Sequence, residues 1–238
     1  MKILISGTGV AGPSLAYWLI KSGHTPVLIE KAPALRTGGY IIDFWGAGFD
    51  IAERMGILPT LQKAGYKVDE VRFVGADGAR VGGFSAKVFD SATGGRYLSL
   101  ARSELAAALY HALEGKVETR FNTSIRALSE GHGQVDVQFE NGSSEQFDLV
   151  IGADGLHSRV RELCFENSSS YEHYLGYKVA AFEATGYSPR EDLVYVMFTE
   201  VGKQIARFTM RNDKTLFLFI FAEESGAPET TPHHLASQ

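Results

Sequence analysis

The chain has 238 residues, of which 45% are hydrophobic and 21% are charged, and its formal net charge is −5 at pH 7. This composition is typical of a globular protein large enough for one or two domains. A net negative charge without a block of Lys or Arg argues against nucleic acid or an anionic membrane as a partner. The single cysteine, Cys164, excludes an intrachain disulfide and a pair of redox-active thiols.

The N-terminal stretch "MKILISGTGVAGPSLAYWLIKSG" combines an early Lys with apolar residues, as a secretion signal does. Gly7, Gly9, Gly12 and Pro13 interrupt this apolar run. Such residues break the continuous helix that a signal peptide or a membrane span requires. The sequence therefore predicts a cytoplasmic protein without a membrane span.

A strand, a helix and a second strand follow one another at the start of the chain. "KILIS" is a short, continuous apolar run of the kind found in buried parallel strands. "AGPSLAYWLIKSGH" has a helical pattern, with Pro13 in its first turn and Gly23 at its end. "VLIE" forms a second apolar run that ends at Glu30. Together they predict a βαβ unit.

The hexamer "GTGVAG" joins the first strand to the helix and has the glycine spacing of a dinucleotide-binding turn. In such a turn Gly7 permits the tight bend, Gly9 lets the backbone approach a pyrophosphate, and Gly12 allows close packing of helix and strand. Glu30 lies 18 residues beyond Gly12, where a carboxylate accepts hydrogen bonds from a ribose and disfavours a 2′-phosphate. The alternative is a Gly-rich turn that binds no ligand.

Two later segments indicate which dinucleotide is bound. "KAPALRTGGYIIDFWGAG", interpreted as a loop, brings Arg36 and Asp43 back towards the nucleotide. "FDLVIGADGLHSRVREL" predicts a strand, a turn at Asp154-Gly155 and a helix that starts at His157-Ser158. The chain thus visits the same sheet edge twice, which a nicotinamide dehydrogenase does not require, and FAD is the favoured cofactor.

These motifs resemble the FAD-dependent aromatic hydroxylase family, the group A flavin monooxygenases that include tetracycline-inactivating and polyketide-tailoring members. The resemblance is carried, in this order, by "GTGVAG", Glu30, "RTGGYIID", "ARSELAAAL" and "GADGLHSRVR". It implies an α/β fold, with a Rossmann-like FAD-binding domain and an interposed antiparallel β-sheet substrate domain. It also implies bound FAD, transient NAD(P)H, and O₂-dependent hydroxylation of an aromatic or polycyclic small molecule.

The resemblance also implies roles for individual residues. Glu30 is expected to hold the FAD ribose, and the other implied cofactor residues are Arg36, Asp43, Arg102, Asp154 and Gly155. Each has a simpler alternative, since the arginines could be surface charges and the aspartates turn residues. A cation is disfavoured at the start of a helix, so a bound anion would explain Arg102. No catalytic residue is assigned, and the histidines lack metal-ligand spacing.

The remaining chain predicts two domains, an FAD-binding domain over 1–168 with an inserted β-meander and a substrate-binding sheet over 169–238. A hairpin is predicted around "ADG" in "DEVRFVGADGARVGGF". Four aromatic-rich strands follow the linker "ENSSSYEH". Some of their aromatic side chains are expected to face a ligand, with candidates Phe182, Tyr195, Phe208 and Phe219.

One motif of the resembling family, a Gly-Asp pair followed by small residues and a helix, has no counterpart after Phe221. The sequence therefore predicts a chain that corresponds to roughly the N-terminal two thirds of such an enzyme, with a C-terminal segment, on the same or another chain, as a partner. An FAD-dependent monooxygenase is the favoured function. The alternatives are an NAD-dependent dehydrogenase and a nucleotide-binding fragment without catalysis.

Overall fold

The computed structural model describes residues 1–166 and 168–223. The strands are β1 (Lys2–Ser6), β2 (Thr25–Ile29), β3 (Ile41–Trp45), β4 (Glu70–Val74), β5 (Arg80–Ser85), β6 (Tyr97–Ala101), β7 (Glu118–Arg120), β8 (Ile125–Gly131), β9 (Gln134–Phe139), β10 (Ser144–Phe147), β11 (Leu149–Gly152), β12 (Tyr177–Thr185), β13 (Val194–Glu200), β14 (Lys203–Thr209) and β15 (Lys214–Ala222). The helices are α1 (Ala11–Lys21), α2 (Ala47–Arg54), α3 (Leu58–Ala64), α4 (Lys87–Ala92), α5 (Arg102–His111) and α6 (Arg159–Cys164), with a 3₁₀ turn at Ser168–Tyr171. Within these residues, no helix has the length and apolar character needed to cross a membrane.

Contacts between residues divide the chain into two units. The first comprises Met1–Asp69 and Ser85–Glu172, and the second comprises Glu70–Phe84 and His173–Gln238. This division differs from the predicted boundary between residues 168 and 169 because the hairpin β4–β5 groups with the later strands. Residues 224–238 of the predicted substrate domain lie outside the part of the chain that the structure describes.

The first unit is built on a parallel sheet with the strand order β11-β1-β2-β7. Both faces of its central strand are covered, which explains the continuous apolar run "KILIS". Leu4 packs in a cluster with Phe139 and Phe147 of the antiparallel meander β8-β9-β10. Ile5 packs on the opposite side in a cluster with Ala16 of α1. The predicted βαβ unit, meander and Rossmann-like fold are confirmed.

A two-stranded antiparallel sheet of β3 and β6 also belongs to the first unit. The interpretation of "IIDFW" as part of a loop is wrong, because this segment forms β3. Ile42 and Phe44 pack against a hydrophobic cluster centred on α2, α3 and α5. Asp43 and Trp45 alternate with them and are exposed, so the segment has the period-2 pattern of a half-buried strand.

The second unit is a six-stranded sheet with the order β12-β15-β14-β13-β4-β5. The four predicted aromatic-rich strands are confirmed as β12 to β15, and their mutual pairings are antiparallel. The predicted hairpin is confirmed as β4 and β5. Because β13 pairs in parallel with β4, from Val194 opposite Glu70 to Met197 opposite Phe73, the hairpin extends this sheet.

The aromatic side chains of the second unit are distributed over both faces of its sheet. The Phe182 ring stacks on Phe217 and Phe219, with centroids 5.4 and 5.6 Å away. Tyr195 and Phe208 contact each other on the opposite face, with centroids 4.6 Å apart. Phe208 is fully buried, whereas Phe182 is 52% exposed. The four candidate aromatics thus lie in two groups on opposite faces of the sheet, so that all four cannot contact the same ligand.

Candidate functional site

The candidate site lies at the carboxyl edge of the parallel sheet in the first unit. The last residue of β1, Ser6, is in register with Ile29 on β2 and with Gly152 on β11. The Gly-rich turn, Glu30 and the Asp-Gly turn follow these three strand ends directly. Ligands of open α/β sheets bind in crevices at this edge. The fold therefore brings the predicted motifs together.

The three glycines of the turn have different surroundings. Gly7 has a φ of +108°, and a Cβ there would lie 2.5 Å from the Ala153 carbonyl oxygen. A Cβ at Gly12 would lie 1.9 Å from the Gly7 carbonyl oxygen. A Cβ at Gly9 would meet no atom within 4 Å. The fold itself requires Gly7 and Gly12, whereas Gly9 leaves an open cradle in which a ligand can approach the backbone.

Helix α1 starts inside this turn with unsatisfied backbone donors. Within the described residues, no side chain caps α1, and its first turn contains no acidic residue. The first N–H groups of a helix lack intrahelical partners and carry a partial positive charge. An uncapped N-terminus beside an open glycine is a binding site for phosphate groups. This geometry fits the pyrophosphate of a dinucleotide such as FAD.

The Glu30 carboxylate is buried and held by three hydrogen bonds. Its Oε2 accepts from the backbone N–H and the hydroxyl of Thr8, each at 3.0 Å. Its Oε1 accepts from the backbone N–H of Ala32 at 3.0 Å. Burial favours a higher pKa for Glu30, but these hydrogen bonds and the charge of Arg36 outweigh it and lower the pKa. Glu30 is therefore a charged acceptor at neutral pH.

A pocket opens beside Glu30 and Gly7. Arg36 lies at this pocket with Nη2 4.0 Å from Glu30 Oε1, and its side chain is 72% exposed. The pocket is lined by Ser6, Gly7, Ile29, Glu30, Lys31, Arg36, Thr123, Ser124, Asp154, His157 and Arg159. The lining thus carries three cationic side chains, Lys31, Arg36 and Arg159, beside the carboxylates of Glu30 and Asp154.

Asp154 lies at the pocket, but its carboxylate is used by the protein itself. Oδ2 accepts from the backbone N–H groups of Arg159 and Val160, at 2.9 and 3.2 Å, and from the Ser6 hydroxyl at 3.2 Å. Oδ1 accepts from the Ser158 hydroxyl at 2.5 Å. Asp154 therefore caps α6 and ties it to the end of β1, while Gly155 supplies the turn with a φ of +84°.

Helix α6 thus differs from α1 in its N-terminal donors. The Ser158 hydroxyl accepts from the Arg161 N–H at 3.1 Å, next to the two donors that Asp154 satisfies. The predicted start of this helix is confirmed, with Ser158 as its N-cap. Because the first backbone donors of α6 have protein partners, the uncapped helix at this sheet edge is α1, whose first donors remain open to a phosphate group.

Asp43 lies on β3 and does not line this pocket. Its Oδ1 accepts hydrogen bonds from the Tyr97 hydroxyl at 2.8 Å and from the Ser99 hydroxyl at 2.6 Å, across the pair β3–β6. Burial raises the pKa of Tyr97 far above its usual value, and the Asp43 charge adds to this increase. Tyr97 is therefore a permanent donor that orients an exposed carboxylate.

Arg102 is the first residue of α5 and also lies outside the pocket. Its backbone N–H donates to the Tyr40 carbonyl at 3.0 Å. Its side chain is exposed, and no acidic side chain in the described residues forms an ion pair with it. An unpaired guanidinium at a helix N-terminus is electrostatically unfavourable without an anion nearby. The structure thus leaves Arg102 available for a ligand.

Sequence reasoning missed several residues of this site. Thr8, an unspecified position of the glycine motif, holds Glu30, and Ser6 holds Asp154. Arg159 connects α6 to β8 through the carbonyls of Ile125 and Arg126. A Ser preceding a helix signals an N-cap, so the role of Ser158 can be predicted from the sequence. The other contacts join segments that are distant in the sequence, and no local pattern predicts them. In the part of the chain that the structure describes, no cluster of three or more His, Cys, Asp or Glu could hold a metal.

The fold and this site define a dinucleotide-binding protein, and comparisons with known proteins identify its family. Residues 1–236 match the family model described as FAD binding domain. The Uncharacterized protein MT1298 of Mycobacterium tuberculosis (strain CDC 1551 / Oshkosh) is 38% identical over 184 residues, which cover 76% of this chain and 49% of the relative. A Flavin-dependent monooxygenase of an unknown prokaryotic organism is 34% identical over 221 residues, which cover 90% of this chain and 54% of the relative. The crystal structure of tetracycline destructase Tet(51) is 29% identical with a TM-score of 0.77, over 99% of this chain and 59% of that chain.

The chain therefore belongs to the FAD-binding domain family. The resemblance to FAD-dependent aromatic hydroxylases and the prediction of FAD as the cofactor are confirmed. The chain spans about half the length of the curated relatives it matches.

Proposed function

We propose that this chain provides the cofactor-binding and substrate-binding parts of an FAD-dependent monooxygenase. The reaction is the hydroxylation of an aromatic or polycyclic small molecule with NAD(P)H and O₂. The observation that carries the proposal is the convergence of the Gly9 cradle, the uncapped start of α1 and the charged Glu30 at one sheet edge. The relatives named as flavin-dependent monooxygenases support the reaction class.

In this proposal the protein binds and orients the cofactor. The backbone at Gly9 and the first donors of α1 hold the pyrophosphate, and Glu30 accepts a ribose hydroxyl. Arg36 and Arg102 supply positive charge for the anionic cofactor. Asp43, oriented by Tyr97, offers a carboxylate on the β3–β6 sheet. FAD, when bound, supplies the redox and oxygen chemistry.

The sheet of the second unit is the proposed substrate element. A polycyclic aromatic substrate would stack on flat side chains, which this sheet presents on both faces. Tetracycline destructase Tet(51) is a solved structure similar to this chain, and its named substrate is polycyclic. Among the aromatic groups, the stack of Phe182, Phe217 and Phe219 has the more exposed rings.

The first test is reconstitution of the full chain with FAD. After removal of free cofactor, we expect flavin absorbance at about 370 and about 450 nm and release of flavin fluorescence on denaturation. Glu30→Gln is expected to weaken FAD binding by on the order of 1–3 kcal/mol, or roughly ten- to a hundredfold. Glu200→Gln, at an exposed position on β13, is the matched control and should bind FAD as the parent does.

Two results would support the alternative functions. Tight binding of NAD without retained flavin would support an NAD-dependent dehydrogenase on the same fold. Retained flavin that NAD(P)H does not reduce, with any of a panel of phenolic and polycyclic compounds present, would support a nucleotide-binding protein without catalysis. Reduction followed by formation of a hydroxylated product would establish the monooxygenase.

We also propose a cytoplasmic location. Cys164 is the single cysteine of the chain, and reducing compartments do not require structural disulfides. Fractionation of cells that produce the native protein tests this proposal.

A further inference from the structure

Thr8 occupies the variable position between the first two glycines of the turn. The residue is buried, with 4% of its surface exposed. A buried hydroxyl needs a hydrogen-bond partner, and the Thr8 hydroxyl has Glu30 Oε2 at 3.0 Å. The backbone N–H of the same residue donates to the same oxygen at 3.0 Å. One residue therefore supplies both hydrogen bonds that Oε2 receives.

The hydrogen bonds to Glu30 limit what its carboxylate can still accept. A carboxylate has about four lone-pair positions, two on each oxygen. Thr8 fills both positions of Oε2, and the Ala32 N–H fills one position of Oε1. One position remains, on Oε1, and the Arg36 guanidinium lies beside that oxygen. The fixed carboxylate can therefore accept one further hydroxyl.

We propose that Thr8 is a specificity-determining positioning residue, whose hydroxyl fixes the Glu30 carboxylate so that it accepts one hydroxyl of the cofactor ribose. The inference rests on the proposed binding of the FAD adenosine part at Glu30. Without the Thr8 hydroxyl, Oε2 keeps the backbone donor of Thr8 and Oε1 keeps that of Ala32, but an acceptor position opens on Oε2. The carboxylate then offers two acceptor directions, one on each oxygen, so that it no longer selects one hydroxyl.

The test measures how strongly binding depends on each ribose hydroxyl. The full chain is titrated calorimetrically with ADP, 2′-deoxy-ADP and 3′-deoxy-ADP, and the hydroxyl dependence is the ratio of the Kd of each analogue to that of ADP. For the parent we expect one analogue to bind about tenfold more weakly and the other to bind within about twofold of ADP. In Thr8→Val, which removes the hydroxyl and keeps the shape, the larger ratio should fall below about threefold.

Thr8→Ser restores a hydroxyl and should return the larger ratio to within about twofold of the parent value. A purely structural role for Thr8 would weaken ADP and both analogues together, which leaves the ratios unchanged. An unchanged larger ratio in a folded Thr8→Val protein therefore overturns the positioning role. Equal losses for both analogues in the parent overturn the single-acceptor geometry.

Failure of this inference and failure of the proposed function give different results. A parent protein that retains FAD but shows no hydroxyl dependence overturns the role of Thr8 and leaves FAD binding intact. A parent protein that binds neither FAD nor ADP overturns both. Far-ultraviolet circular dichroism and urea unfolding of each variant establish that the compared proteins are folded.

Discussion

Glycine residues of one short turn serve two separate purposes at this site. A methyl group at Gly12 would overlap the Gly7 carbonyl oxygen, a backbone atom that cannot move aside, whereas a methyl group at Gly9 would enter open space. Gly12 is therefore needed for the stability of the fold, and Gly9 is needed for the approach of the ligand to the backbone. Alanine substitutions at the two positions separate these two roles.

We expect Gly12→Ala to lower the free energy of unfolding by on the order of 1–3 kcal/mol or more, because the added atom overpacks the turn. Gly9→Ala should leave the stability of the protein without cofactor within about 0.5 kcal/mol of the parent. Its methyl group should weaken FAD binding at least about tenfold by blocking close backbone approach. Urea unfolding and FAD titration measure the two effects, and Gly131→Ala, also in open space, is the control. Equal FAD affinities in Gly9→Ala and Gly131→Ala would contradict this assignment.

Ionisation of Glu30 links the site to pH. The pKa of Glu30 in the folded protein lies below its usual value of 4.5, since the hydrogen bonds from Ala32 and Thr8 favour the charged form more than burial disfavours it. A carboxyl group with a lowered folded-state pKa stabilises the fold above its unfolded pKa, and this stabilisation is lost as the pH falls through the folded value.

The loss of stability in Glu30→Gln should therefore be largest at about pH 7 and smaller at about pH 3.5. Urea unfolding of parent and variant at both pH values measures the difference. Glu200→Gln should match the parent at both. A Glu30→Gln deficit that is the same at both pH values would indicate that the deficit comes from packing and not from the charge.

At the scale of elements, the two helices that start at the sheet edge differ in whether side chains cap their first backbone donors. The start of α1 has backbone donors without side-chain caps, and the start of α6 is capped by Asp154 and Ser158. The carboxylate of the Asp-Gly motif thus accepts hydrogen bonds from the protein's own backbone at the start of α6. Its contribution to the site is the fixed position of α6, whose first residue Arg159 lines the pocket.

We expect Asp154→Ala to destabilise the protein by roughly 1–3 kcal/mol, because backbone donors of Arg159 and Val160 lose their acceptor. Asp154→Asn should lose less, since its amide oxygen can still accept. Asp136→Ala, at an exposed position on β9, is the control. Denaturant unfolding measures the stabilities, and hydrogen exchange of the α6 amides localises the effect. Unchanged exchange of α6 in Asp154→Ala would contradict the capping role.

The elements also show what the sequence could and could not predict. The βαβ unit and Glu30 were predictable because their signals are local, within the first thirty residues. Strand β3 was missed because its partner β6 lies far along the chain, and its short alternating pattern follows two glycines. The roles of Thr8 and Ser6 depend on contacts with Glu30 and Asp154. No local pattern encodes those contacts.

At the scale of the whole molecule, the second unit is assembled from two distant segments. Its junction, between β4 and β13, carries an ion-pair network. The Arg72 guanidinium pairs with Glu70 at 2.8 Å and with Glu191, and Arg207 pairs with the same Glu191. Arg72 therefore lies between two carboxylates that come from different segments of the chain.

We expect Arg72→Met to lower the urea midpoint of the second unit, because Glu70 and Glu191 then lose the cation between them. The loss should shrink at low pH, where carboxylates become protonated. Lys67→Met, which removes an exposed ion pair with Asp90, is the control and should have little effect. Hydrogen exchange at the amides of β4 and β13 locates the change. If the Arg72→Met and Lys67→Met proteins both unfold at the parent midpoint, the role of Arg72 at this junction is contradicted.

The parallel pairing of β4 with β13 also has a consequence for synthesis of the protein. Roughly 120 residues separate the two strands, so at typical translation rates β4 leaves the ribosome on the order of 10 s before β13 exists. A hairpin of β4 and β5 formed in that time would have an unpaired strand edge, and such an edge is a template for aggregation. Glu70, Arg72 and Arg80 place charges on this hairpin, and charges on an open edge discourage pairing with other chains. We therefore expect the charges that join the finished sheet also to limit pairing of this hairpin with other chains before β13 is made.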